Sequence, residues 1–150
     1  MLKMKYSITI MVIGSFLIQY YAMSFLMVDD VKNIKNSLGK FYISGIMGLL
    51  MGILEVGMND FSMMKISLKY YIPLFLILGC FIVAYRMQFN IFDKNYLREM
   101  IEHHSMAILT STEVLNKTHD YEVAKIAKNI IENQKDEINI MNNLLSKKDS

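Results

Sequence analysis

Tyr6 to Val28 is a run of 23 residues without a charge. At about 1.5 Å per residue, a helix of that length crosses roughly 30 Å of hydrocarbon. In lipid every backbone N–H and C=O must find its partner within the protein, so the run is expected to be helical. Two further apolar runs follow, at about residues 41–58 and 70–86. The second carries one acid, Glu55. The third holds Pro73, expected in a tolerated first-turn position, and ends on Arg86, whose stem can snorkel. Ala22-Met23-Ser24 is a faint cleavage pattern, but the apolar run before it is too long for a typical signal sequence and two more runs follow. Residues 1–88 therefore read as a three-helix transmembrane region set in a lipid bilayer.

Charge limits the partners. Residues 1–86 hold 8 basic and 4 acidic residues, and residues 87–150 hold 8 basic and 10 acidic. A slightly acidic tail without a basic stripe argues against nucleic acid. The basic residues flank the spans on both sides, so the positive-inside rule does not fix the topology. The single cysteine, Cys80, lies in the third run and cannot form a disulfide within one chain.

After residue 90 the period changes. Asp93 or Asn95 can cap a helix reaching about Lys117, "KTHD" breaks it, and Asp120 can cap a second helix to about Leu145. So short a link makes residues 93–147 an antiparallel two-helix hairpin, and the chain all-α. Wound at 100° per residue, the first helix places Leu97, Ile101, Ile108 and Leu115 within about 60° of His104. His103 falls at the edge of that stripe, one turn from Met100. On the second helix Gln134 and Met141 lie within the apolar stripe and Glu137 at its edge. Folding about Thr118 sets His104 level with Gln134, and Met100 level with Glu137. Two helices leave part of such a stripe uncovered, which points to a homodimer closing a four-helix bundle.

Two accounts of this layer stand side by side. In one, His104 and Gln134 hydrogen-bond across a core whose gaps Met100 and Met141 fill, since Met is a flexible filler. In the other, thioether and imidazole groups hold Cu(I), which prefers soft ligands. The second span raises a parallel choice. Met47 and Met51 recur beside Gly48 and Gly52, a pattern of close helix packing first and of a thioether path for copper second. Glu55, an intramembrane acid, is a functional candidate that could also simply reach the interface. No Ser/His/Asp order, phosphate-binding loop or HExxH is present, so no enzymatic activity is expected.

"YLREMIEHHSMAILTS" and "AKIAKNIIENQKDEINIMNNLL" together resemble the domain of unknown function 305 family. Met100, Ile101, His103 and His104 match the first part of the family pattern; Gln134, Glu137, Ile138 and Met141 match the second. The front, with "IMGLLMGILEVGM" in its second span, resembles a membrane-anchored branch of that family. The resemblance implies a ferritin-like bundle, an association with copper and a tail outside the cytoplasm. Met100, His103, His104 and Met141 would then be metal ligands. Glu137 would orient an imidazole or ligate directly, and Gln134 would orient one. Two positions depart from the pattern. The family proline before the His pair is Glu102 here, an acid expected beside the imidazoles, and the methionine six residues after the second His is Thr110.

Overall fold

The computed structural model describes residues 4–149. Among them the regular structure is helical throughout: α1 (Met4–Leu17), a π-helical turn (Ile18–Met23), α2 (Ser24–Met27), a 3₁₀ turn (Val31–Asn33), α3 (Leu38–Met63), α4 (Leu68–Arg86), α5 (Asp93–Leu115) and α6 (Tyr121–Asp149). Met4–Met27, Leu38–Met63 and Leu68–Arg86 are long and apolar enough to cross a membrane. The helices gather into two compact units. One holds the residues up to Ala22 together with Leu38–Asn90; the other holds Met23–Ser37 together with the residues from Ile91 on.

This division departs from the linear one expected at residue 88. Residues 23–37, the end of the first apolar run and the polar residues after it, cluster with the tail because α5 supplies hydrogen-bond partners for them.

In the first unit, α1 and α3 run antiparallel: Phe16 meets Phe41 edge to face, while at the other end the Ser7 hydroxyl donates to Glu55. Glycines set the spacing. A methyl on Gly48 would stand 2.6 Å from the Val12 carbonyl oxygen, and one on Gly45 would stand 2.2 Å from the Phe81 ring. A methyl on Gly52 would stand 2.6 Å from a side-chain methyl of Val12. These three glycines allow α1 and α4 to approach α3 closely, as small residues do in lipid-embedded bundles.

Helices α3 and α4 both end without glycine. Lys65 N–H bonds to Asp60 O and Met64 N–H to Phe61 O, with Met64 in the left-handed region at φ 49°. Phe89 N–H bonds to Ala84 O and Gln88 N–H to Tyr85 O, with Gln88 at φ 50°. Each is a Schellman ending. Asp60 is buried within α3, and its carboxylate accepts the backbone N–H and the hydroxyl of Ser67, both at 2.7 Å. That bond pair closes the link to α4. Pro73 lies in the second turn of α4, not the first, because the helix starts at Leu68.

In the second unit, α5 and α6 pack along their length. The shared core is Leu97, Ile101, Ile108, Ile138, Met141 and Leu145, with Met100 packed against it. Asp93 at the start of α5 meets Lys148 near the end of α6 at 2.6 Å. Asp120 Oδ1 accepts the N–H groups of Glu122 and Val123, capping α6 as its sequence position suggested.

Candidate functional site

His104 lies in the middle of α5 and is 19% exposed. Its Nδ1 stands 2.7 Å from the carbonyl oxygen of Met100, one turn earlier. A carbonyl can only accept, so Nδ1 carries a proton and donates it. Nε2 stands 2.6 Å from Glu137 Oε2 on α6. Whichever of that pair holds the shared proton, the Nε2 lone pair is not open. His104 is thus a tie between α5 and α6 with both ring nitrogens in use.

The other residues singled out by sequence take different positions. Met141 is buried in the shared core, and Met100 packs beside it. His103 is exposed on the outer side of α5. Gln134 is half-buried, and among the described residues no hydrogen bond joins it to His104, whose partner is Glu137. Burial pushes the Glu99 carboxyl above its usual range; the charge of His103 pulls it down and that of Glu102 pushes it up further.

Glu102 is buried and is turned away from His104. Two positions before His104, it points about 200° around the helix from it. There its Oε1 accepts the Ser24 hydroxyl at 2.5 Å and its Oε2 accepts the Lys35 backbone N–H at 3.1 Å. One turn on, the fully buried Ser105 Oγ accepts Asp29 N–H at 3.0 Å and Asn33 Nδ2 at 3.3 Å. Residues 24–35 are strapped across α5 by these two side chains. Sequence reasoning missed Ser24 and Ser105 altogether. The available signal was an acid standing where the family has proline, with a serine one turn further on the same face.

In the first unit, Glu55 is half-buried and bonded to Ser7, and two further turns of α3 follow it, so it is deeper in the helix than the apolar run suggested. Met47 is exposed and Met51 half-buried on the same helix.

The donors suit soft-metal chemistry by type, but they do not form an open set. His104 offers no free lone pair, Met141 is enclosed, and among the described residues no three His, Cys, Asp or Glu side chains are grouped to hold an ion.

The family model described as domain of unknown function (DUF305) matches residues 85–146. An uncharacterized protein of Acanthamoeba polyphaga mimivirus is 35% identical over 142 residues, covering 94% of this chain and 92% of its own. No solved structure matches the chain.

Proposed function

Because the chain belongs to the DUF305 family, we propose that it is a membrane-anchored, non-catalytic helical module that pairs with a second copy. The anchor is the set of three apolar helices, and the module is the α5–α6 hairpin, held outside the cytoplasm. The observation that carries this reading is the closure of His104 on Met100 and Glu137, which uses the polar layer to fix one helix against the other. A layer engaged in this way sets register within the bundle.

What the pair of helices leaves open is an apolar strip. Ile126, Ile140 and Leu144 are 58%, 57% and 43% exposed. With Ile130 they fall within about 80° of one another on α6, beside its buried stripe. A second hairpin laid on this strip completes a four-helix bundle.

The full chain, purified in detergent, should have the mass of a dimer by light scattering. Ile126→Glu with Ile140→Glu should reduce it to a monomer, while His104→Leu should remain dimeric. A wild-type monomer at all accessible concentrations sinks the pairing.

Copper handling is the rival reading, favoured by exposed His103 standing one turn from Met100. Cu(I) would supply a soft centre for thioether and imidazole ligation, and His104 would have to leave Glu137 to join it. A Cu(I) competition titration on the full chain decides. Tight binding lost in both His103→Ala and His104→Ala would replace the pairing role with metal binding.

A further inference from the structure

Asn116, Lys117 and Thr118 form the one Asn-X-Ser/Thr tripeptide in the chain. Where X is not proline, this is the acceptor pattern for N-linked oligosaccharide, and it is used in exposed loops of chains that enter the secretory pathway. Here it occupies the exposed link between α5 and α6.

The local structure suits an acceptor. Asn116 ends α5 with its backbone N–H on Thr112 O at 3.2 Å, so the helix is closed by main chain and not by the asparagine side chain. That side chain is exposed, and among the described residues nothing hydrogen-bonds its amide. The Lys117 ammonium is drawn back to Glu113 at 3.2 Å. Thr118 Oγ1 accepts the Asp120 N–H at 3.2 Å, which leaves the hydroxyl proton unused by that bond. The α5–α6 core, from Leu97 to Ile108 and from Ile138 to Leu145, does not involve the link. A large polar group at Asn116 therefore displaces no packed side chain.

We propose that Asn116 is a site of N-glycosylation. In the reaction, Asn116 Nδ2 bonds to C1 of an oligosaccharide carried on a lipid pyrophosphate. The bond from C1 to the pyrophosphate oxygen breaks, the lipid pyrophosphate leaves with the electron pair, and the amide gives up one proton. The inference rests on the reading that the tail lies on the non-cytoplasmic side of a membrane.

The test is expression of the full chain in a eukaryotic cell line, followed by gel mobility before and after an N-glycan amidase. Wild type and Thr118→Ser should both move faster after treatment, and Asn116→Gln and Thr118→Ala should not change. Lys135→Thr, which completes a second tripeptide at exposed Asn133, separates the possible failures. An unmodified wild type beside a glycosylated Lys135→Thr overturns Asn116 as an acceptor and leaves the topology standing. If neither carries a glycan, the tail faces the cytosol, and both the site and that part of the proposed function fall.

Discussion

Glu99 carries a penalty that can be read against pH. Burial raises its carboxyl above the unfolded value of 4.5, with the His103 charge opposing and the Glu102 charge adding to the rise. A carboxylate with a raised folded pKa favours the fold below its unfolded pKa and loses that contribution as pH rises through the folded value. Glu99→Gln should therefore raise the melting temperature at pH 7, and the gain should vanish below about pH 4.5; a gain that persists at pH 4 would mean that packing, not charge, is responsible. At this scale the sequence was informative about faces and less so about partners. Helical period alone placed His104 on the apolar side and His103 at its edge. Counting from Thr118 matched His104 with Gln134, whereas the structure pairs it with Glu137 and pairs Asp93 with Lys148. Both pairs centre the fold near Asp120, since α5 has already ended at Leu115 and Asp120 caps α6. Cap geometry shifts the register by about a turn, and periodicity carries no trace of that shift.

The apolar helices were legible because an uninterrupted run leaves few alternatives, but their ends were not. Asn59 and Asp60 lie beyond the apolar run of residues 41–58, yet α3 continues to Met63 because Asp60 bonds forward to Ser67. Nor does the sequence mark Met64 and Gln88 as left-handed, a conformation that costs an L-residue about 1–2 kcal/mol and that glycine adopts freely. Met64→Gly should stabilise the detergent-solubilised chain by about 0.5–1 kcal/mol, after the entropy glycine gains on unfolding is subtracted. Asn90, at φ 57°, is a residue type that tolerates this region, so Asn90→Gly should change little. Thermal unfolding of the two variants side by side checks the contrast; equal shifts would show that the endings are not strained. The π-helical turn Ile18–Met23 left no sequence signal that we can identify. It falls where the chain passes from one compact unit to the other.

For the molecule as a whole, the largest surprise is where residues 24–35 go. Their contacts with Glu102 and Ser105 join main-chain N–H groups and the side chains of Ser24 and Asn33 to side chains some seventy positions away, and such pairings have no period and no motif. Glu102→Ala removes a charged acceptor from Ser24 and from Lys35 N–H. Hydrogen bonds to charged groups contribute about 1.5–3 kcal/mol each, so amide exchange at Lys35 should speed up by at least about tenfold. Hydrogen exchange with mass analysis of residues 28–37 measures this, and unchanged protection would show that Glu102 does not hold the strap. The strap also orders events during synthesis. Residues 24–35 leave the ribosome well before α5 and α6 exist, so the earliest part of this unit must wait for the last-made helices before it can settle. A truncated chain beginning at α5 would lack the segment that its own buried acid and serine are built to receive.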